Sequence, residues 1–259
     1  MTQWSNSHPA AAHPFTARSV LASALLGEDP PELPVAHLVH LAGLFGIGEN
    51  RARVALSRMV ASGEVTTDGS GRYRLAGRLL DRRARQAASL TGATAPWDGS
   101  WRLVVVVAPA RSADQRAARR RRLAEARLAE QREGVWLRPD NLVLRPDPAE
   151  DPDLVAYAAV PGGDPTALAA SLWDLPAWAS RADALCAELA VHPPVGPDDL
   201  APGFVLAASV VRHLVADPLL PAALLPAGWP GAELRSTYAA WDRRYRRVLR
   251  AWGRSVEPA

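Results

Sequence analysis

The chain has 259 residues, enough for two or three domains with buried cores, and its 48% hydrophobic and 22% charged content places it among soluble globular proteins. Its one cysteine, Cys186, excludes an internal disulfide framework and a cysteine-based zinc finger. No apolar run reaches membrane-spanning length, and MTQWSNSHPAAAHP lacks the basic flank and apolar core of a signal peptide, so a cytoplasmic protein without membrane association is expected.

All 30 basic residues are Arg, and the accompanying Ala and Pro excess points to a GC-rich coding bias, so the pI near 9.6 is partly compositional. Divided at residues 95 and 175, the three parts carry 10 Arg against 7 acidic residues, 11 against 12 and 9 against 8, which puts most of the positive excess first. Local Arg clusters therefore say more about partners than the total does.

Residues 1–14 are polar and rich in Pro and Ala, and disorder is expected there. Residues 16–27 (TARSVLASALLG) read as a helix with Thr16 as its N-cap and Gly27 as its stop. After the breakers Pro30, Pro31 and Pro34, residues 34–63 read as two short helices joined at Gly46-Ile47-Gly48. In the second, Ala52, Ala55, Leu56, Met59 and Val60 share one face at helical spacing, while Asn50, Arg51, Arg53, Val54, Ser57 and Arg58 share the other. Such a helix can dock by its apolar back and offer donors to phosphates and base edges in the DNA major groove. A solvated amphipathic helix in an ordinary helical domain would have the same pattern.

From Val65, VTTDGSGRYRLA reads as a hairpin turning at Asp68-Gly69-Ser70-Gly71, which completes a winged helix-turn-helix. Residues 77–90 read as a linking helix with Arg78, Arg82, Arg83 and Arg85 outward, and residues 91–96 as a linker.

At Trp97 the composition shifts. WDGSWRLVVVVAP holds a turn and then the continuous apolar run of a buried strand. Residues 113–130 follow as an Arg-rich helix, 134–138 and 154–160 as strands, 142–145 as an extension of the pairing, and 165–173 as a helix, an order that fits a ferredoxin-like domain. Beyond residue 175 helices are expected over 176–191, 203–216 and 232–254, with the breakers DPLLPAALLPAGWPG between. The expected architecture is thus α+β: a disordered N-terminus over 1–14, a winged helix-turn-helix domain with its linking helix over 15–95, a ferredoxin-like central domain over 96–175 and a helical C-terminal domain over 176–259.

Three stretches, WDGSWRLVVV, GVWLRPDNL and DPLLPAALLPAGWPG, resemble in order the signature segments of the PaaX family of transcriptional regulators, the phenylacetic acid degradation repressors. ARSVLASALLG and FGIGENRARVALSRMVASGEV resemble that family's DNA-binding head, so the similarity runs from Thr16 to Trp252. The resemblance implies a homodimeric repressor of a catabolic operon with a winged-helix head, a middle domain similar to a CRISPR-associated nuclease fold and a helical C-terminal domain. It also implies release from double-stranded operator DNA by an acyl-coenzyme A effector such as phenylacetyl-CoA. Two departures from the family pattern are visible: the wing carries only Arg72 and Arg74, and EQRE stands before Gly134 in place of a Gly- and Pro-containing approach.

Asn50, Arg51, Arg53, Ser57 and Arg58 are the candidate major-groove contacts, because Arg pairs well with guanine and Asn with adenine. About half of the arginines should go to phosphate, and pairing with Glu49 is a competing use. Arg72 and Arg74 are candidate phosphate or minor-groove contacts. The run 119–122 reads as a solvated helix face laced to Glu125 and Glu130. On the last helix, Trp241, Arg244, Tyr245 and Arg247 form a candidate effector site, rings against adenine and Arg against phosphate; dimer packing would explain the same residues. Trp101 and Trp136 are expected in cores, and Trp229 as a packed turn aromatic.

The alternative reading is a ferredoxin-like metal-dependent nuclease or RNA-processing enzyme with an accessory winged helix. That chemistry needs a carboxylate at the end of the first strand. The strand ends VVVVAPAR, with no Asp or Glu between Asp98 and Asp114. His37 and His40 are three apart without a third ligand beside them, and His192 and His213 are isolated, so no metal, cofactor or catalytic residue is expected.

Overall fold

The computed structural model describes residues 16–108, 112–143 and 147–254; the disorder expected over residues 1–14 falls outside them. The chain forms two compact units, one of Met1–Arg85, Gly196–Pro202 and Val248–Ala259, the other of Gln86–Val195 and Gly203–Arg247.

In the first unit, α1 (Ala17–Gly27) opens at Thr16, whose hydroxyl oxygen accepts the Ser19 N–H at 3.1 Å, as an N-cap should. It is followed by β1 (Glu32–Pro34), α2 (Val35–Gly43), α3 (Glu49–Ala61), β2 (Val65–Thr67), β3 (Arg72–Leu75) and the start of α4 (Arg78–Thr91). The three strands form an antiparallel sheet in the order β1-β3-β2. This is a winged helix-turn-helix with β1 added to the hairpin. The sequence marks residues 30–34 only as a break, because a three-residue strand flanked by prolines has no alternation to detect. Val20, Leu21 and Leu25 of α1, Leu38 of α2 and Leu56 and Met59 of α3 are fully buried and form the core of this head. Gly77, at φ +49, lets β3 turn into α4 beside Gly63; a Cβ there would lie 2.7 Å from the Gly63 carbonyl oxygen, so only glycine fits.

The second unit is built on β4 (Trp101–Val106), β5 (Ala129–Arg132), β6 (Val135–Pro139) and β7 (Leu154–Ala159), antiparallel throughout in the order β5-β6-β4-β7. That is the ferredoxin-like strand order. Helix α5 (Ala113–Glu125) crosses from β4 to β5. Between β6 and β7 the described residues hold only a 3-10 turn at Pro148–Glu150, and α6 (Pro165–Leu172) comes after β7. Alternation along β4 sends Trp101 and Leu103 to one face, packed with Leu137, Ala169, Leu175, Leu220 and Leu224. Val104 and Val106 go to the other face, with Leu123 of α5, Leu128, Trp136 and Leu154. The helices α7 (Leu175–Val191), α8 (Leu200–Val215) and α9 (Gly231–Arg254) complete the chain. Trp178 lies between His213 and Trp229, at ring separations of 4.4 and 4.5 Å, so Trp229 is the packed turn aromatic expected of it.

The Arg-rich helix expected over 113–130 stops at Glu125, and residues 129–132 are β5. The stop is Arg127 at φ +61, a left-handed residue that is not glycine and so leaves no mark in the sequence. The extension expected over 142–145 is no strand at 142–143, and its remainder lies outside the described residues.

The three signature stretches converge. Trp97 and Trp101 share a core with Leu220, Leu224, Leu225 and Trp229. Asn141 donates through Nδ2 to the Leu219 carbonyl at 2.9 Å and accepts from Arg138 Nη2 at 2.8 Å. They are one structural knot.

Candidate nucleic-acid interface

Helix α3 begins after its N-cap Gly48 and buries Ala52, Leu56 and Met59 completely. Ala55 is half-buried and Val60 is 37% exposed, so the buried stripe is narrower than the expected five-residue face. Asn50, Arg51, Arg53, Val54, Ser57 and Arg58 are all exposed, as expected of the outward face. Arg53 Nε donates to Glu49 Oε1 at 2.8 Å across one helical turn, the competing use foreseen for Glu49. Arg51 and Arg58 have no ion-pair partner among the described residues, which leaves two guanidinium groups available to an anion from outside.

The wing places Arg72 and Arg74 two residues apart on β3, on one side of the ribbon. Between them stands Glu32 of β1, opposite Arg74 in the strand register. Arg72 Nε reaches Glu32 Oε1 at 2.6 Å, and Arg74 Nε reaches Oε2 at 2.8 Å. The two guanidinium groups hold the Glu32 carboxyl below its ordinary range, Arg74 first and Arg72 second. One carboxylate against two exposed arginines leaves this stretch of β1 and β3 with one positive charge in excess, which Asp68 at the hairpin tip offsets over the wing as a whole. At its tip the Asp68 carboxylate accepts the Ser70 N–H at 2.8 Å, which fixes the turn, and the Ser70 hydroxyl first and this N–H second lower the Asp68 pKa.

Behind α3 a buried charge sets its exit. Glu64, 1% exposed, is bonded by Arg18 of α1 and by Arg78 of α4. Its pKa falls to about 2, chiefly through the Arg18 hydrogen bond, with burial opposing. Neither Glu32 nor Glu64 carries a signal in the sequence, where Glu49 is the one acidic residue of the head with an expected pairing role. Glu64, placed between Gly63 and Val65 where helix gives way to strand, carries no periodic signal.

Elsewhere in this unit, His40 packs against Trp252 with ring centroids 4.2 Å apart and the rings tilted by 33°, so it is a packed histidine. Arg83, expected to point outward, donates to the Glu28 carbonyl and to Asp29, both at 3.0 Å.

The four residues proposed for an effector do not share one accessible face. Trp241 and Tyr245 are buried, stacked on each other at 5.2 Å and packed against Gly203, where a Cβ would come within 2.8 Å of Tyr245. Trp241 Nε1 is spent on the His192 carbonyl at 2.8 Å, and burial pushes the Tyr245 hydroxyl well above its usual range. Arg244 and Arg247 are exposed. In the run 119–122, Arg120 pairs with Glu130 as expected, while Arg119 and Arg122 go to Asp153 and Asp151 at the entry to β7. Among the described residues no group of three or more His, Cys, Asp and Glu is arranged to hold a metal ion, and no helix is long and apolar enough to cross a membrane.

Comparison with known proteins gives three family matches in chain order. Residues 16–79 match the PaaX-like protein family, residues 94–147 the PaaX protein central Cas2-like domain and residues 174–254 the PaaX-like protein C-terminal domain. Among solved structures, the uncharacterized protein Rv0674 from Mycobacterium tuberculosis is 40% identical, with a TM-score of 0.69, over 91% of this chain and 98% of that one. No curated protein matches. The Cas2-like description suits the ferredoxin-like sheet, and the first match spans the winged helix whose exposed basic face has just been described. The chain belongs to the PaaX family of regulators.

Proposed function

We propose that this protein is a DNA-binding transcriptional repressor of a catabolic operon, for phenylacetate or a related aromatic or acyl-CoA pathway. Helix α3 enters the major groove with Asn50, Arg51, Arg53, Ser57 and Arg58, and Arg72 and Arg74 of the wing hold the adjoining backbone. The observation that carries the reading is the division of α3: Ala52, Leu56 and Met59 are buried in the head, and every polar residue of the opposite face is exposed. Two heads in a homodimer would read a two-fold related operator, and an acyl-CoA effector would release it by favouring a conformation that cannot span both half-sites. The protein acts in the cytoplasm and catalyses nothing.

A gel-shift titration on DNA upstream of its own gene and its neighbours, with and without a panel of acyl-CoA thioesters, tests this. A specific shift relieved by one thioester is expected. A shift that no thioester relieves would remove the effector and keep the DNA-binding claim, and no shift at all would remove both. Divalent-metal-dependent cleavage of the probe would favour the nuclease alternative.

A further inference from the structure

We propose that Val54 reads the methyl group of a thymine in the operator, and that the arginines around it hold phosphates and not bases. The inference rests on the DNA-binding reading above and deepens it. At about 100° per residue, Ala52, Leu56 and Met59 fall about 200°, 240° and 180° around the helix from Asn50. Those three are fully buried and fix the direction of the head. Diametrically opposite their mean direction, at about 27°, the outermost residue is Val54 at about 40°, with Asn50 at about 0° and Ser57 at about 340° beside it. Arg51 and Arg58 sit together at about 100° and 80° on one flank, and Arg53 at about 300° on the other.

The outermost ridge of α3 is therefore uncharged. A helix seated in the major groove presents that ridge to the base edges and its flanks to the two phosphate walls. Charge belongs on the flanks, and there the arginines are. Val54, 43% exposed, is the apolar member of the ridge, one turn from Asn50 and nearly one turn from Ser57. Thymine alone places a methyl group in the major groove, and Asn makes paired hydrogen bonds to adenine. Asn50 and Val54 together suit a half-site containing A·T pairs.

The full chain would first select its site from a random duplex pool, and each thymine of that site would then be replaced by uracil, which removes only the methyl. For the wild-type protein one thymine per half-site should be sensitive, with affinity falling about three- to fivefold, the effect of one buried methyl. Val54→Ala should bind the thymine and uracil duplexes equally, Val54→Ile should keep the preference, and circular dichroism should show both variants folded, since the side chain is outside the core. A site in which no thymine is sensitive, or a Val54→Ala protein that still prefers thymine, overturns the inference while DNA binding stands. Failure to bind any duplex overturns the DNA-binding reading itself.

Discussion

Arg18 Nε lies 2.7 Å from Glu64 Oε2, and this bond ties the first helix of the head to the residue at which α3 gives way to the wing. Arg78 reaches the other carboxylate oxygen from α4, so one buried acid joins three elements around the exit of α3. Both arginines keep much of their surface in water. The carboxylate supplies the order, because it is the member removed from solvent.

The first prediction concerns acid. Glu64 has a folded-state pKa of about 2 against an ordinary value of 4.5, so its contribution to stability is complete above about pH 4.5 and is lost as pH falls toward 2. Glu64→Gln should cost about 1.5–3 kcal/mol at neutral pH, the range for hydrogen bonds to charged groups. Its stability should converge on that of the wild type near pH 2. Chemical denaturation at pH 7, 4 and 2.5 reads this directly, and an unchanged difference across that range would remove Glu64 as the anchor.

Arg51 and Arg58 sit on one flank of α3 without an acidic partner among the described residues, which suits backbone contact. Replacing either by Ala should weaken binding to all DNA sequences alike. Each replacement should also lower the slope of log affinity against log salt by about 0.9, one released counterion. Loss confined to the selected operator, with the salt slope intact, would instead make that arginine a base reader.

In the wing, Glu32 occupies part of the donor set of Arg72 and Arg74. Glu32→Gln removes a negative charge from the edge proposed to face DNA. Non-specific affinity at low salt should rise several-fold and the salt slope steepen by about one contact. A fall in affinity, measured by fluorescence anisotropy on a random duplex, would mean that the carboxylate serves mainly to aim the two guanidinium groups.

Much of this was legible beforehand. The α1 cap at Thr16, the two faces of α3, the hairpin turn over residues 68–71 and the strands at 101–106, 135–139 and 154–159 each carry a local signal, whether a capping hydroxyl, a period or an apolar run. What escaped was decided by partners distant in sequence. AEQR at 129–132 has the composition of a helix and becomes β5 because β6 offers it a ladder and Arg127 takes a left-handed conformation. β1 exists only as a partner of β3. At the site, the exposed residues of α3 followed from periodicity, but the use of Glu32 by both wing arginines and of Glu64 by Arg18 and Arg78 spans separations of 14 to 46 residues that no local pattern records. The aromatic and Arg content of α9 suggested one ligand-binding stripe; packing turned Trp241 and Tyr245 inward and left Arg244 and Arg247 outside.

The last prediction tests the knot formed by the signature stretches. Arg138 is fully buried, and among the described residues no carboxylate lies within ion-pair distance of it. Its guanidinium donates instead to three oxygens, the Pro139 carbonyl at 3.0 Å, the Arg127 carbonyl at 3.3 Å and Asn141 Oδ1 at 2.8 Å. Burial, reinforced by the neighbouring Arg127, pushes its pKa down to about 9, which still leaves it charged at neutral pH. Asn141 passes the chain of bonds on to Leu219, whose backbone is left-handed at φ +52 and whose N–H is held by Asp217 Oδ1 at 2.9 Å. Arg138→Met relieves the burial of a charge but strands three acceptors, and stranded acceptors cost more than well-satisfied ones return. The variant should lose about 1–3 kcal/mol in urea denaturation at pH 7. If it were instead as stable as the wild type, the arginine would be serving as apolar volume, and the bonded path from β6 to the loop before α9 would carry no stability of its own.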